Sequence, residues 1–431
     1  MKQVLQVALD FINASRAMTV ARESVQAGAD WLEIGTPLIK SEGMQIIRQI
    51  REEFPDITLV ADMKTMDTGA LETEMAAKAG ANVVCLMATA DDLTIKDAVQ
   101  SAKKYGVSIM VDLLGISDLP RRAQTLETFG VDYLCLHIGI DAQMIGKTPL
   151  EDLASLSAST TLPIAVAGGL TTESIGKVVQ AGAQVLIVGG AITKAPNVAE
   201  ATKSMKQAMK KTIASKSLPY HQKYAKDDMI SAFQQVSTPN ISDAMHKHGA
   251  MKHIRPLSSG YHMVGPALTV ETIDGDWAKP VEAIDIASPG TVLVINGHGG
   301  HTAIWGELAT WSAKQKKLAG IVIDGAVRDV VDIKEIKFPV FSRYQVPNAG
   351  EPKGFGEIGA EITCGDQPVS TGDWIIGDDS GVVVVPKAIA HEIANRALDI
   401  KDQENRIRKE IKEGQSLGSL IELKKWEKKI R

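Results

Sequence analysis

The sequence predicts an α/β protein with two parts, an N-terminal TIM-type (β/α)8 barrel and a C-terminal α/β sandwich domain. Three observations support this prediction. The 431 residues exceed what one small domain holds, because domains usually contain about 100 to 200 residues. Eight short apolar runs, each followed by a turn and a helical pattern, fill the chain up to about residue 192. After about residue 227 the pattern changes to short strands with glycine and proline turns.

The eight apolar runs have the near-continuous hydrophobic character of parallel strands that are buried on both faces. They cover residues 3–10, 31–37, 57–64, 82–88, 108–115, 133–139, 163–169 and 185–192. Eight βα units at intervals of about 20 to 30 residues are typical of a closed barrel. An open doubly wound sheet is the alternative, but such sheets seldom carry eight units this regular.

The chain divides into a barrel at residues 1–213, a polar linker at 214–226 and a second domain at 227–431. Residues 195–213 are expected to form the closing helix of the barrel. In the second domain two helical segments precede the short strands, a mixture that predicts a central sheet flanked by helices. The last 31 residues contain ten Lys or Arg and six Asp or Glu, which predicts a solvated terminal helix or a helix that docks on another subunit.

The composition excludes several classes of protein. The 47 basic and 52 acidic residues give a net charge of -5, which supplies no field to attract nucleic acid or an anionic membrane. We find no signal peptide and no run of about 18 apolar residues, so we expect a cytoplasmic protein without a membrane partner. Cys85, Cys135 and Cys364 match no metal-binding spacing and are expected to be packing residues of a reduced protein.

Charged residues stand at the carboxyl ends of the predicted strands, where closed βα barrels place their active sites. These residues are Asp10, Glu33, Asp62, Lys64, Asp112 and His137, and Asp67 follows on the loop after Lys64. The period of two along a strand turns Glu33 away from its apolar neighbours and into the barrel, and it places Asp62 and Lys64 on one face. Such a set can bind a divalent cation and move protons at an enediolate carbon. A structural ion-pair network is the alternative.

Glycines form the other half of this predicted site. Gly168 and Gly169 end the seventh run, and Gly189 and Gly190 end the eighth. At these positions barrels bind a phosphate with backbone N–H groups and a helix N-terminus, so a phosphorylated substrate is expected. Tight turns between strands and helices would also explain the glycines.

The motifs VALD, EIGTP, DMKTMD, HIGID, AGG and VGGAIT occur in this order along the barrel. With them, the first 210 residues resemble the 3-hexulose-6-phosphate synthases, in the superfamily of the orotidine- and 3-keto-L-gulonate-6-phosphate decarboxylases. The resemblance implies an aldol condensation of formaldehyde with D-ribulose 5-phosphate to D-arabino-hex-3-ulose 6-phosphate, or the reverse reaction for pentose supply. It also implies a Mg²⁺ cofactor, or Mn²⁺ in its place, and a homo-oligomer.

The resemblance further implies individual roles. Glu33 and Asp62 would hold the metal, Lys64 would stabilise the enediolate, and His137 would move the proton. Asp67 would reach the site of a partner subunit, and Asp10 completes the expected catalytic set.

One departure favours the synthase within this superfamily. The keto-gulonate decarboxylases carry an arginine after the first glycine of strand eight, where this chain has Gly190. A decarboxylase barrel joined to a non-catalytic regulator domain remains the alternative.

In the second domain the informative residues are Glu307 and, after twenty intervening residues, Arg328 and Asp329. An arginine can clamp a carboxylate through two hydrogen bonds, while the neighbouring aspartate holds a divalent metal. Together they would stabilise an enolate, as in the retro-aldol cleavage or decarboxylation of a small 2-keto acid. Gly300, in the glycine-rich loop before Glu307, is expected to contact the substrate.

Residues 227 to about 390 resemble the family that contains the regulators of ribonuclease E activity, RraA, and the 4-hydroxy-4-methyl-2-oxoglutarate aldolases. The aldolase members carry an acid, twenty residues and Arg-Asp, matched here by Glu307, Arg328 and Asp329. Regulators tend to lose the aspartate, so its retention favours catalysis. A protein-binding module with a ribonuclease partner is the alternative. His298 and His301 suggest zinc, but without a second ligand pair a substrate or backbone loop is favoured.

Overall fold

The computed structural model describes residues 3–139, 149–210, 228–421 and 423, and the chain forms two compact units. The first unit comprises Met1–Gln222 together with Asp402–Arg431. The second unit comprises Lys223–Lys401. The predicted linker, residues 214–226, lies outside the described residues.

Eight parallel strands close the sheet of the first unit into a barrel. They are β1 (Val4–Leu9), β2 (Trp31–Ile34), β3 (Thr58–Thr65), β4 (Val83–Met87), β5 (Ser108–Asp112), β6 (Tyr133–His137), β7 (Ile164–Ala167) and β8 (Val185–Val188). Each strand pairs with the next, and β8 returns to β1 with Val185 opposite Val4. This closure confirms the predicted barrel and excludes the open sheet.

Helices follow the strands around the barrel. They are α1 (Ala14–Gln26), α2 (Thr36–Glu42), α3 (Gln45–Glu53), α4 (Gly69–Ala79), α5 (Asp92–Tyr105), α6 (Leu119–Phe129), α7 (Leu150–Ser159), α8 (Ile175–Gln180), α9 (Gly190–Thr193) and α10 (Val198–Ala208). Asn13 and Asn197 begin α1 and α10, since each side chain accepts a hydrogen bond from a backbone N–H of the first turn. Helix α10 lies within the predicted closing helix.

Two apolar layers hold the barrel together. The larger layer fills the space between strands and helices, and a smaller cluster contains Ala8, Val60, Cys85, Met110 and Cys135. The three cysteines are buried and unpaired, with Cys364 in a core cluster of the second unit, so they are packing residues as predicted. Burial raises the pKa of the Cys85 and Cys135 thiols well above its usual range, which keeps both thiols protonated.

The second unit is built on a mixed sheet with the strand order β19-β18-β10-β11-β13-β14-β9. Its strands are β9 (Arg255–Pro256), β10 (Met263–Glu271), β11 (Val292–Asn296), β12 (Ala303–Trp305), β13 (Gly320–Val327), β14 (Val340–Gln345), β15 (Glu357–Ile358), β16 (Ile362–Cys364), β17 (Gln367–Val369), β18 (Trp374–Asp378) and β19 (Gly381–Val385). The adjacent strands β10, β11, β13 and β14 are parallel. Their carboxyl ends therefore share one edge of the sheet.

Helices complete this second unit, as the predicted α/β fold requires. They are α11 (Met229–Phe233), α12 (Thr238–Ala244), α13 (Ala278–Ile286), α14 (Glu307–Gln315), α15 (Val330–Ile336) and the first part of α16 (Ala390–Lys412). The rest of α16 and the short helix α17 (Leu417–Leu420) belong to the first unit. Apolar clusters bury residues of α13, α14 and α15 with the central strands, and residues of α11, α12 and α16 with β18 and β19. No described helix is both long and apolar enough to cross a membrane.

The terminal segment belongs to a different unit from the one predicted. The sequence-based division put all of residues 227–431 in the second domain. From Asp402 onward the chain belongs to the barrel unit. The physical reason is a buried ion pair, because Glu410 of α16 contacts Arg16 of α1. The expected solvated helix is therefore packed over part of its length.

Gly69 is a position where the fold admits no side chain. It begins α4, and a Cβ atom there would collide with the carbonyl oxygen of Thr94 in α5. We expect Gly69→Ala to lower the free energy of unfolding by about 1–3 kcal/mol, the usual cost of overpacking. Urea denaturation would measure it. Gly418→Ala is the control, since its Cβ would lie 3.6 Å from the nearest neighbour, and equal stability of the two variants would contradict the prediction.

Candidate active site

The carboxyl ends of β3, β5 and β6 bring four of the charged residues into one network. The Lys64 Nζ atom lies 3.1 Å from an Asp62 Oδ2 atom and 2.8 Å from an Asp112 Oδ2 atom. The same Asp112 oxygen lies 2.8 Å from His137 Nδ1. Two carboxylates, one ammonium group and one imidazole are thus joined by direct contacts.

A β-bulge in β3 places Lys64 in this network. The pairing of β3 with β4 passes from Asp62 opposite Cys85 to Thr65 opposite Leu86, so two residues of β3 are inserted between these pairs. Lys64 adopts a φ of 49°, in the left-handed region that is costly for a residue other than glycine. The expected contact between Asp62 and Lys64 exists, but the bulge rather than the regular period of two produces it.

The network fixes the charges of its members. Burial alone would lower the pKa of Lys64, but the charges of Asp62 and Asp112 outweigh burial and raise it. Burial alone would raise the pKa of Asp112, but the hydrogen bond from His137 and the charge of Lys64 lower it. At neutral pH Lys64 is therefore an ammonium ion and Asp112 a carboxylate.

Asp112 also determines which nitrogen of His137 carries a proton. An ionised carboxylate can only accept, so the Nδ1–H group donates to it. In the neutral imidazole this leaves the lone pair on Nε2. His137 keeps 21% of its side-chain surface exposed, so Nε2 is available as a base at the barrel mouth.

Two further carboxylates, Glu33 and Asp10, lie close enough to Asp62 for its charge to act on them. Glu33 is buried, and the Gln6 Nε2 group donates a hydrogen bond to it. Burial, together with the charges of Asp62 and Asp10, raises the pKa of Glu33 well above its usual range. Asp10 is open to solvent, but the surrounding barrel rim removes part of its water, and this desolvation and the charge of Asp62 raise its pKa. Negative charge is in excess here, which favours a bound cation.

These carboxylates fit a magnesium ion that has only a few protein ligands. Mg²⁺ usually binds through one or two carboxylates and keeps several waters or substrate oxygens as its remaining ligands. Glu33 and Asp62 provide the hard oxygen donors, and the Thr36 hydroxyl lies 2.9 Å from Asp62 Oδ2. Within the described ranges no three His, Cys, Asp or Glu side chains converge into a complete metal-binding group. The ion would depend on substrate or water for its other ligands.

The four predicted phosphate-binding glycines lie at the ends of β7 and β8. Gly168 and Gly169 have φ values of 103° and 66°, which by themselves require glycine. Gly189 and Gly190 lead into α9, where a Cβ on Gly190 would come no closer than 3.5 Å to the side chain of Lys194. Lys194 was not singled out from the sequence, although it stands one helical turn after Gly190. Its positive charge acts on Asp10.

Asp67 lies apart from the network on an exposed loop, where it accepts a hydrogen bond of 2.7 Å from the Thr68 N–H group. Large apolar side chains are also exposed, both close to it in sequence and on the adjoining helix α5. The exposed fractions are 52% for Met66, 57% for Leu71, 41% for Met75 and 65% for Leu93. Helices α4 and α5 carry three of these four side chains. The structure therefore brings Asp67 beside an apolar surface rather than into the charge network of its own chain.

In the second unit the structure brings Glu307, Arg328 and Asp329 together. Asp329 Oδ2 accepts a hydrogen bond of 3.1 Å from the Glu307 N–H group at the start of α14. The Arg328 Nε atom lies 3.4 Å from the same oxygen. Arg328 keeps 45% of its side chain exposed, so its guanidinium group can reach a carboxylate in solution. Asp329 has a φ of 56°, a strained backbone that is frequent at functional sites.

The glycine-rich loop before Glu307 is fixed by its own contacts. A Cβ on Gly300 would collide with Asp274, whose Oδ1 atom accepts a hydrogen bond from Thr302, so packing alone explains this glycine. His298 Nε2 lies 2.7 Å from Glu271 Oε1, and His301 stacks on Tyr344 at 4.2 Å. The two histidines thus have separate partners.

Glu271 and Asn296 also lie at this site, although neither is among the residues predicted from the sequence. Asn296 Nδ2 donates to Glu271 at 3.0 Å, and its side-chain oxygen accepts from the His298 N–H group. The sequence feature that could have indicated them is the position of each polar residue at the end of an apolar strand.

Comparisons with known proteins agree with this division of the chain. Residues 3–205 match the model of the orotidine 5'-phosphate decarboxylase / HUMPS family. The 3-hexulose-6-phosphate synthase of Bacillus subtilis (strain 168) is 39% identical over 204 residues, which cover 47% of this chain and 97% of that protein. The synthase of Mycobacterium gastri is 39% identical over 205 residues, with 48% and 99% covered.

The chain belongs to the 3-hexulose-6-phosphate synthase family. It is therefore an enzyme of the carbon–carbon lyase class. A crystal structure of the synthase from Salmonella typhimurium is 35% identical, covers 49% of this chain and 100% of its own, and has a TM-score of 0.47. Residues 238–384 match the RraA-like family model, described as Aldolase/RraA, so this family member is fused to an RraA-like domain.

Glu33 lowers the stability of the fold at neutral pH. Because its folded-state pKa is raised, its charge costs free energy above that pKa, and the cost disappears below the ordinary pKa of a glutamate. We expect Glu33→Gln to raise the free energy of unfolding by about 0.5–2 kcal/mol at pH 8. The gain should shrink as the pH falls. Thermal unfolding between pH 4 and 8 would measure it.

Glu52→Gln, at an exposed position of α3, is the matched control and should change stability little at any pH. A Glu33→Gln variant that is less stable than the unmodified chain at pH 8 would show that the Glu33 charge is compensated.

Proposed function

We propose that the first unit catalyses the Mg²⁺-dependent aldol condensation of formaldehyde with D-ribulose 5-phosphate to D-arabino-hex-3-ulose 6-phosphate. The observation that supports it best is the network of Lys64, Asp112 and His137, which combines a fixed cation with an oriented base. The names of the relatives supply the substrate class. The reverse reaction would use the same groups.

The network suits the two charges that this reaction creates. His137 Nε2 would take a proton from C1 of the pentulose, and the Lys64 ammonium would stabilise the negative charge that develops on the C2 oxygen. The C1 carbon of the enediolate then attacks formaldehyde, and the new alkoxide takes the proton from His137. Asp112 holds both partners through a single oxygen, so the base and the cation keep their relative positions.

A bound Mg²⁺, or Mn²⁺, would polarise the substrate oxygens, with Glu33 and Asp62 as its ligands. The phosphate would bind to the backbone at Gly168, Gly169 and Gly189–Gly190, with Lys194 nearby as a counter-charge. Asp10, close enough for its charge to be felt by Glu33, would orient the reacting end of the sugar.

Removing the base or the carboxylate beside Lys64 should abolish this activity. We expect His137→Gln and Asp62→Asn to lower kcat/KM for formaldehyde consumption with ribulose 5-phosphate at least 100-fold. Circular dichroism should show that both variants remain folded. EDTA should stop the unmodified enzyme, and Mg²⁺ should restore it.

Arg328→Ala in the second unit is the control and should keep full synthase activity. Full Mg²⁺-dependent turnover by Asp62→Asn would contradict the metal assignment. Decarboxylation of 3-keto-L-gulonate 6-phosphate without any formaldehyde consumption would show that the barrel is a decarboxylase rather than a synthase.

We propose that the chain forms a homo-oligomer through the exposed apolar side chains beside Asp67. Contact through Leu71 and Met75 would cover apolar surface and bring Asp67 toward the site of a partner subunit. A monomeric mass in light scattering at working concentrations would contradict this assembly.

For the second unit we propose the metal-dependent cleavage or decarboxylation of a small 2-keto acid. Arg328 has an exposed guanidinium group that would bind the carboxylate, and Glu307 and Asp329, which lie together, would supply oxygen ligands for the metal. We expect the full chain to decarboxylate oxaloacetate with Mg²⁺, and Arg328→Ala to lower kcat/KM about 100-fold.

His137→Gln, whose change lies in the other unit, is the control for this assay. Turnover that Arg328→Ala leaves unchanged would contradict the assignment. Inhibition of a ribonuclease by the chain, without keto-acid turnover, would identify the second unit as a regulator.

A further inference from the structure

The end of α16 packs against the part of the barrel rim that follows β8. The Arg406 Nη1 group donates a hydrogen bond of 2.7 Å to the carbonyl oxygen of Thr193, the last residue of α9. Lys409 Nζ donates at 2.7 Å to the carbonyl oxygen of Pro196. The two donors are three residues apart and so share one face of the helix. They hold two carbonyl groups of the segment 189–196.

A buried ion cluster fixes this face of α16 on the barrel. Glu410 contacts Arg16 of α1, and its Oε1 atom lies 3.8 Å from Arg406 Nε. Only 9% of the Glu410 side chain, 15% of Arg406 and 21% of Arg16 is exposed. Two guanidinium groups therefore share one buried carboxylate. Such a cluster defines one docking geometry, because moving any member leaves a buried charge unpaired.

The cluster stands next to two strand ends of the active site. The Arg406 guanidinium lies 5.7 Å from the centroid of the Phe11 ring, and Phe11 directly follows Asp10. Thr193, which accepts the hydrogen bond from Arg406, directly precedes Lys194. Since β1 and β8 are neighbours in the barrel, one side chain of α16 contacts the segments that follow both strands.

We propose that Arg406, supported by Lys409 and Glu410, is a positioning residue for binding of the sugar phosphate. It acts by holding the segment 189–196, which carries Gly189, Gly190 and Lys194, and the proposal rests on the function proposed for the barrel. The synthases of Bacillus subtilis and Mycobacterium gastri are aligned over 97% and 99% of their length by about 205 residues. They have no counterpart of residues 402–413, so this device belongs to the fused chain.

The placement predicts which kinetic constant changes. A freed segment would have to become ordered each time the phosphate binds, which weakens substrate binding. The Lys64, Asp112 and His137 network lies on β3, β5 and β6 and has no contact with α16 among those described. Chemistry on the bound substrate should therefore proceed nearly as before.

The test uses Arg406→Ala in the full chain. We expect its KM for ribulose 5-phosphate to rise about tenfold, while kcat and the KM for formaldehyde change less than about twofold. The inhibition constant of inorganic phosphate should rise in parallel. Arg406→Lys, which keeps a cationic donor, should recover part of the loss.

Arg408→Ala is the matched control, because Arg408 is 55% exposed and its contacts are with Glu404 and Asn405 of the same helix. An equal KM for ribulose 5-phosphate in the two alanine variants would overturn the proposal, and so would a fall in kcat alone. If Arg406→Ala does not fold, Lys409→Ala replaces it with the same expected direction.

Hydrogen exchange separates failure of this proposal from failure of the proposed function. Faster exchange at residues 189–196 in Arg406→Ala, but not in Arg408→Ala, would show that α16 holds the segment even if the unmodified chain lacks synthase activity. Unchanged exchange in a chain with full synthase activity would overturn the positioning role and leave the function intact.

Discussion

The barrel mouth depends on one partly buried cation that is shared by two carboxylates. Lys64 contacts Asp62 and Asp112, and Asp112 uses the same oxygen to orient His137. Because Asp112 is buried, it would be costly as a lone charge, and without it Lys64 would lose one of the two contacts that oppose its own desolvation. The charge state of each member therefore requires the others. The strained backbone of Lys64 is tolerated because this arrangement compensates for it.

The charges of the mouth are distributed unevenly, in a way that matches a sugar phosphate. Glu33 and Asp62 form a surplus of negative charge near β2 and β3, where a cation is favoured. The part of the rim that follows β7 and β8 has glycine backbone and the positive Lys194. A substrate with a phosphate at one end and a carbonyl at the other would meet complementary groups at both ends. The carboxylate surplus costs stability, as polar groups assembled for function often do.

Much of the architecture could be predicted, because barrel strands are local patterns of apolar residues and glycine turns. The identity of the charged residues followed from the same reasoning, since a strand end is visible in the sequence. The bulge at Lys64 could not be predicted, because it depends on the register with β4. The role of Asp112 could not be predicted either, because it depends on distances between side chains of different strands. The place of Lys194 depends on the turn of α9. Contacts between distant parts of the chain leave no periodic signal.

The terminal helix shows what such distant contacts can do in a fused protein. The chain completes the barrel fold, continues through the RraA-like domain, and only then supplies the residues that close the buried cluster around Glu410. In chain order the second unit is thus an insertion between the barrel and its last helical segment. The segment after β8 cannot obtain its contacts from Arg406 and Lys409 until that insertion has been synthesised. In the proposed role of Arg406, the geometry of the barrel rim depends on residues 402–413, which follow the second unit and lie outside the part of the chain that aligns with the synthases.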